Sequence, residues 1–530
     1  MTSIVRLIPV QCSQPSLHDN TGDIDRIRKN VIQKGISPLR VPLSLCAELS
    51  QKIRQCGFAG VAMVNDMGEY YELVDFVGTA PAILVGMALD LGTTHLEASL
   101  VDLLSGRILA EANHANDQIE FGTDILSRIH FAATPDGQHI LKKKVVATIN
   151  GLLLELCRSC SLTGTDVRAL SVSGNTTMVH LLLGLDPATL CREPYIPMLN
   201  SLDTFHASAL NVAMHPTAPV WIMPSVGSYF GGDLVSGIVA SGMDQKTATT
   251  MLIDVGTNAE VVVGNKDWLI ACAGAAGPAL EGGIAKMGMR AAPGAVERVW
   301  LDSDGNLDYS TIDGGLAKGL CGSGIIDLAA SLYLAQIIDI QGKFKPKKGE
   351  ASVSRGQDGL CFTLVDGEEA HGGEPVVFSQ LDLDAMMRSK AAMYAILTTI
   401  TGQVGVEFKD LETIYVAGSF GKHINPKSAI TLGMMPDLPL DVFQPIGNSS
   451  LDGAVEVLLT RDSRDRCLAL PAEITYLELN VNQDFMIRFS GCRFIPHTDP
   501  SLFPSVPVFD SQKKDGRYLT GKQKNTFKKG

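Results

Sequence analysis

The sequence predicts an α/β protein built on a duplicated unit, with a small α/β domain ahead of it. Three observations carry this. The stretch "MALDLGTTHLEASLVDLLSGRILAEA" from Met87 is echoed by "MLIDVGTNAEVVVGNKDWLIACAGA" from Met251. Each copy reads as an apolar strand ending in Asp, a Gly-Thr turn, an alternating strand, a second turn (Ser105-Gly106 or Gly264-Asn265) and a third strand. Each is then followed by amphipathic helical patterns and a further apolar strand, "VRALSVSGN" in the first half and "ETIYVAGSFG" in the second.

The order of segments sets the expected boundaries. Residues 1–83 form the small domain, with helices at "DIDRIRKNVIQ" and "LSLCAELSQKIRQCG" and strands at "GVAMVND" and "YYELVDFVG". Residues 84–247 form the first lobe: three strands, helices around "GTDILSRIHFAA" and "KKKVVATINGLLLELCRSC", the strand "VRALSVSGN" and a helix at "TTMVHLLLG". Residues 248–509 form the second lobe, with a Gly-rich stretch, the helices behind "GLCGSGIIDL" and over "DLDAMMRSKAAMYAILTTITGQV", and a late strand "ITYLELN". The last residues, 510–530, are polar and basic and read as a solvated tail.

Composition narrows the classes. The chain has 530 residues, too many for one core. Hydrophobic residues make up 45% and charged residues 19%, as in a well-buried globular protein. A net charge of -13 argues against a nucleic-acid-binding surface. No apolar run reaches the length of a membrane span, and the N-terminal apolar run is too short for a signal peptide, so a cytoplasmic location is expected. The 11 cysteines are scattered and suggest no disulfide framework. Cys157 and Cys160 are a lone C-x-x-C late in a helical pattern and read as structural thiols.

The repeated turn is the chemical signal. Gly92 and Gly256 allow phosphate oxygens to approach backbone N–H groups, and Thr93, Thr94, Thr257 and Asn258 add side-chain donors. Asp90 and Asp254 would repel phosphate directly; they make sense as ligands of Mg²⁺ through its waters. Two such turns suit a polyphosphate gripped from two sides. Gly418, Ser419, Phe420 and Gly421 read as a small-residue turn after a buried strand, one that would admit a base and ribose. Gly322, Ser323 and Gly324 stand at a helix N-terminus, which suits an anion or close helix packing. No P-loop pattern occurs.

With these residues in view, "LDLGTT", "IDVGTN" and "VAGSFG" resemble the two phosphate motifs and the adenosine motif of the actin, sugar-kinase and heat-shock-chaperone ATPases. Within that superfamily, "SVSGNTTMVHLLLGLDP", "GLCGSGIIDL", "FPSV" and "YLELN" look like the reductive activators of corrinoid proteins. The resemblance implies duplicated actin-like (ribonuclease H-like) ATPase lobes that bind ATP and Mg²⁺. It implies an ATPase that helps return an oxidised cobalt centre to Co(I) in a corrinoid partner of a methyl-transfer system. Asp233, at the head of a small-residue helix, falls where superfamily members keep a water-orienting residue; an N-cap role is the alternative. Glu260 could line the cleft beside Asp254 or be structural. The catalytic set expected is therefore Asp233, Asp90 and Glu260.

Relatives of this kind often carry an iron–sulfur domain. Here Cys12, Cys46 and Cys56 lack cluster spacing and Cys467 and Cys492 stand alone, so no cluster is expected and electrons should come from a separate protein. The expected partners are the corrinoid protein and that donor, with a second copy of the chain as a further candidate and neither nucleic acid nor membrane. Two rival readings remain: a small-molecule kinase of the same superfamily, and a nucleotide-regulated binding protein.

Overall fold

The computed structural model describes residues 2–256, 258–275, 285–346, 353–356 and 359–509. Thr257 and the basic tail, both singled out above, lie outside the described residues. The chain forms two compact units: Met1–Gly242 with Asn448–Ile474, and Met243–Gly447 with Thr475–Gly530.

The first unit opens with β1 (Val5–Gln11), α1 (Asp23–Gln33), β2 (Leu39–Arg40), α2 (Leu43–Gln55), β3 (Ala59–Asp66) and β4 (Tyr71–Val77). They give a four-stranded sheet in the order β1-β3-β4-β2. The stretch "VRLIPVQ", tested in the sequence only as a leader segment, is a sheet strand, pairing antiparallel with β3 from Val5↔Asn65 to Gln11↔Ala59. Ile27, Val31, Leu49 and Ile53 of the two helices pack with Val64, Leu73 and Phe76 of the sheet into one core.

The chain continues with β5 (Val85–Leu91), β6 (His95–Asp102), β7 (Ile108–Ala115), α3 (Ile125–Phe131), α4 (Pro135–Ser159), β8 (Val167–Gly174), α5 (Thr176–Leu183), β9 (Phe205–His206), β10 (Pro219–Ile222) and α6 (Gly232–Ser241). Their six-stranded sheet runs β7-β6-β5-β8-β10-β9. The parallel partners β5 and β8 are almost wholly buried, as strands covered on both faces must be. Leu141, Val145, Ile149, Leu152, Leu153 and Leu156 recur at helical spacing along α4 and face this sheet's core. Cys157 is buried at the end of the same face and Cys160 is partly exposed.

The second unit repeats the scheme. It comprises β11 (Thr250–Val255), β12 (Asn258–Asn265), β13 (Trp268–Ala275), β14 (Ala295–Leu301), β15 (Leu307–Thr311), β16 (Gly319–Leu320), α7 (Gly322–Leu334), β17 (Val353–Gly356), β18 (Gly359–Val365), β19 (Val376–Ser379), α8 (Gln380–Gln403), β20 (Thr413–Ala417), α9 (Gly418–His423), α10 (Pro426–Leu432) and β21 (Phe443–Gly447). The chain then returns to the first unit as α11 (Ser449–Leu459) and α12 (Arg461–Glu473), and ends in the second with β22 (Ile474–Leu477) and α13 (Gln483–Gly491). The large sheet runs β21-β20-β11-β12-β13-β22, so β13-β12-β11-β20-β21 matches β7-β6-β5-β8-β10 strand for strand. One turn differs from expectation. Gly264 and Asn265 belong to the β12–β13 ladder, opposite Leu269 and Trp268, and the chain reverses at Lys266-Asp267. The reason is local: the Asn265 side chain accepts the Asp267 N–H at 3.0 Å and closes the reversal beyond the expected pair.

Candidate functional site

In the first unit the site forms at the carboxyl ends of β5 and β8, where ligands of such sheets gather. Asp90, one residue from the end of β5, faces Glu97 across the antiparallel β6 and Ser173 on the parallel β8. Its carboxylate accepts the Ser450 hydroxyl at 2.7 Å and the Asn448 amide at 3.0 Å; the same amide reaches Glu97 at 2.8 Å. Asn448 is the N-cap of α11, so one residue starts a helix and ties two carboxylates.

The turn after Asp90 is fixed from behind. Asn116 donates its side-chain amide to the Gly92 carbonyl at 3.0 Å and its backbone N–H to the Thr94 carbonyl at 2.9 Å. Arg128 donates to the Thr93 carbonyl at 2.6 Å. Its guanidinium is fully buried, also donates to the Gly122 carbonyl and to Gln118, and has its pKa lowered to about 10 by burial. With the turn's three carbonyls held on one side and a buried cation beside Thr93, the local field suits an anion. At Gly92 a Cβ would collide with the His95 carbonyl, so the hairpin itself requires the glycine.

Two helix starts converge on the same turn. Asn175 caps α5 by accepting the Met178 N–H and donates to the Thr93 hydroxyl at 3.1 Å. The start of α6 lies against it: a Cβ on Gly231 would stand 2.5 Å from the Asn175 Cα and 2.6 Å from the Asp233 carboxylate. Asp233 is not the N-cap, which was its bland alternative; Gly231 is, and Asp233 sits in the first turn and accepts the Leu234 N–H at 3.0 Å. The structure thus brings Asp90, Gly92, Thr93, Thr94 and Asp233 into one neighbourhood.

The second unit carries the matching arrangement. Asp254 faces Glu260 across β12 and Ala417 on the parallel β20. Burial pushes its pKa up to about 6. Gly256 donates its N–H to the Asn258 carbonyl at 2.8 Å, tightening the turn. Gly418 follows directly with a φ of 78°, and a Cβ there would lie 3.1 Å from the Asp254 carboxylate. Ser419, Phe420 and Gly421 continue into the short helix α9, where a turn had been expected. Gly421 lets that helix start press onto β20, since a Cβ would meet the Val416 carbonyl. Gly322, Ser323 and Gly324 open α7; at Gly324 the space for a Cβ is taken by the Val296 carbonyl of β14, a requirement of close packing. Glu260 lies near enough for its charge to help raise the pKa of the buried Cys272 thiol.

The donor set fits a hydrated Mg²⁺. Among the described residues no three His, Cys, Asp or Glu side chains cluster as a metal cage. What stands instead is a carboxylate pair in each unit, which suits an ion that keeps its waters and takes its remaining ligands from phosphates. Arg128, Asn116, Asn175, Glu97, Ser173, Asn448 and Ser450 were not singled out in the sequence. Of these, Glu97 lies in the repeated stretch as the counterpart of Glu260, and Ser173 and Asn175 fall inside "SVSGN".

Residues 1–76 match the RACo linker region, residues 85–246 the RACo middle region, and residues 248–507 the C-terminal domain of RACo, described as the ASKHA domain. The chain belongs to the RACo family. Its relatives include the corrinoid activation enzyme RamQ of Eubacterium limosum, 31% identical over 412 residues that cover 76% of this chain and 69% of that protein. A [Co(II) methylated amine-specific corrinoid protein] reductase of Methanosarcina barkeri is 25% identical over 422 residues, 74% of this chain and 73% of that one. A solved reductive activator for corrinoid, iron-sulfur protein superposes with a TM-score of 0.87 at 37% identity, covering 96% of this chain and 81% of its own. Residues 248–507 are therefore the RACo family's actin-like ASKHA domain, and the sheet of the first lobe repeats its strand order.

Proposed function

We propose that this RACo-family chain reactivates a corrinoid methyl-transfer protein, using ATP hydrolysis to assist reduction of its Co(II) centre to Co(I). The observation that carries the nucleotide half is the repeated register: Asp90 opposite Glu97 and Asp254 opposite Glu260, each separated by a single residue from a Gly-Thr turn. The relatives named for corrinoid activation supply the partner.

In this reading Mg²⁺ supplies charge neutralisation on the phosphates, and the chain's residues position it. Asp90 and Asp254 hold its waters. The turns at Gly92–Thr94 and Gly256–Asn258 bind phosphate oxygens, and Gly418–Gly421 admit the adenosine. Asp233 orients the attacking water, which with ATP gives ADP and phosphate; Glu260 lines the site. The electron for cobalt comes from a separate donor protein. The setting is the cytoplasm; no helix among the described residues is long and apolar enough to cross a membrane.

The test is ATP turnover with and without the Co(II) form of a corrinoid protein from the same organism, read together with the Co(I) absorbance when a low-potential donor is supplied. Stimulated turnover with Co(I) formation is expected. An unchanged rate with every such protein, together with phosphorylation of a sugar or short carboxylic acid, would replace this reading with a kinase.

A further inference from the structure

Asn448 carries three contacts on one side-chain amide. Its NH2 group donates to the Asp90 carboxylate at 3.0 Å and to the Glu97 carboxylate at 2.8 Å. Its amide oxygen accepts the Leu451 N–H at 2.9 Å and so caps α11. An amide has two N–H protons and one acceptor oxygen, and all are in use here. The contacts also fix which end of the amide faces which way, since ionised carboxylates only accept and the Leu451 N–H only donates. Asp90, Glu97 and Asn448 are each partly exposed, so the cluster is not sealed off from a ligand.

The amide answers a problem set by strand register. Asp90 and Glu97 stand directly opposite each other on the antiparallel β5 and β6, where like charges repel. A neutral donor with two protons can bind both at once and hold their spacing. Among the side chains preferred at a helix cap only asparagine does this: aspartate has no proton to give, and serine and threonine have one each. The helix that carries the amide is pinned. Ser450 donates to the other Asp90 oxygen at 2.7 Å, Ser236 of α6 donates to the Ser450 carbonyl at 2.6 Å, and Ser171 of β8 donates to the Ala454 carbonyl at 2.6 Å. Gly453 presses against Ser236, so the first turns of α11 cannot slip along α6.

We infer that Asn448 is a positioning residue for the metal: it sets the spacing of Asp90 and Glu97 so that both can accept from the waters of one Mg²⁺ ion. This rests on the reading of Asp90 as the carboxylate that holds Mg²⁺ waters. The tie and the metal act together and not in turn, because a carboxylate oxygen has two lone pairs and can accept a metal-bound water beside the amide proton. Nothing has to rearrange on binding. Asn448 acts through the two carboxylates, as the outer partner that orients a metal's ligands.

The test uses the full chain. Affinity for a non-hydrolysable ATP analogue is measured by calorimetry at a series of free Mg²⁺ concentrations, and thermal denaturation is followed with Mg²⁺ alone and with EDTA. Asn448→Ser keeps a preferred helix cap and loses the two-proton tie. It should raise the Mg²⁺ needed for half-maximal affinity about tenfold, as loss of an outer partner does at metal sites, while affinity at saturating Mg²⁺ returns to that of the unsubstituted protein. A cap role alone would leave the Mg²⁺ dependence where it was. Asn448→Asp also keeps a cap but sets a third carboxylate beside the other two. It should melt lower in EDTA, and regain more on addition of Mg²⁺ than the unsubstituted protein does. This second variant keeps the test decisive should Asn448→Ser fail to fold. An unchanged Mg²⁺ requirement in folded Asn448→Ser, or a loss of affinity that no Mg²⁺ concentration restores, overturns the positioning role alone. So does an Asn448→Asp variant whose melting gains no more from Mg²⁺ than that of the unsubstituted protein. Failure of the unsubstituted protein to bind Mg-nucleotide overturns the nucleotide reading and the positioning role with it.

Discussion

Asp90 and Asp254 occupy equivalent places in the repeat but stand in different surroundings. Asp90 opposes a serine on the neighbouring parallel strand and accepts hydrogen bonds from Asn448 and Ser450; Asp254 opposes an alanine, and burial lifts its pKa to about 6. The sign follows from the raised value. Relative to an unfolded carboxyl near 3.8, Asp254 contributes stability that is fully present below that pH and is lost as pH rises through about 6. A cation beside the ionised carboxylate offsets that loss. Mg-nucleotide affinity should therefore rise with pH up to about 6 and then level off, and Asp254→Asn should weaken binding and remove this limb, both read by calorimetry across the range. Gly418 guards the same carboxylate. Gly418→Ala places a side chain at a φ of 78° and a methyl 3.1 Å from Asp254, so thermal denaturation should show a loss of about 1–2 kcal/mol.

At the scale of elements, the turn between β5 and β6 is shaped by residues that follow it in the chain. Arg128, on α3, serves four acceptors from full burial: the Gly122 and Thr93 carbonyls, the Gln118 amide oxygen and the Met178 sulfur. Arg128→Met should leave those acceptors unserved and destabilise the protein by about 3 kcal/mol or more, with nucleotide affinity falling further than the melting temperature alone explains. A variant that keeps full nucleotide affinity would show that the turn holds its form without the guanidinium. The Asp-x-Gly-Thr turn itself was legible because it is local: strand, Asp, Gly and Thr follow one another, and the hairpin's need for Gly92 is met within four residues. The length of α9 was not legible. Small residues after a buried strand permit a turn or a helix start equally, and the choice falls to the contact between Gly421 and the Val416 carbonyl.

At the scale of the molecule, a buried cation secures the end of the described chain. Lys390, fully buried on α8, donates to the carbonyls of Phe494 at 2.5 Å, Pro496 at 2.7 Å and Gly433 at 3.4 Å, and burial lowers its pKa to about 7. The unfolded chain binds this proton up to about pH 10.5, so between the two values the unfolded state holds more protons than the folded one. Stability should thus rise with pH across that window. Lys390→Met should flatten the slope in urea titrations repeated at several pH values; an unchanged slope would assign it to other groups.

The sequence by itself determined the duplication and the two aspartate turns, because strand periodicity, glycine geometry and a repeated order of residues are properties of neighbours along the chain; the family showed in longer motifs such as "SVSGNTTMVHLLLGLDP" that resemble it. It could not show what holds Asp90. Asn448 and Ser450 are 358 and 360 residues away, in a plain "GNSSLDG" that carries no spacing signal, and they reach Asp90 because residues 448–474 fold back into the first unit. Likewise no motif or spacing in the sequence sets Arg128 or Lys390 apart from other cations. Only packing takes them out of water, and a charge taken out of water acts on whatever carbonyls then surround it.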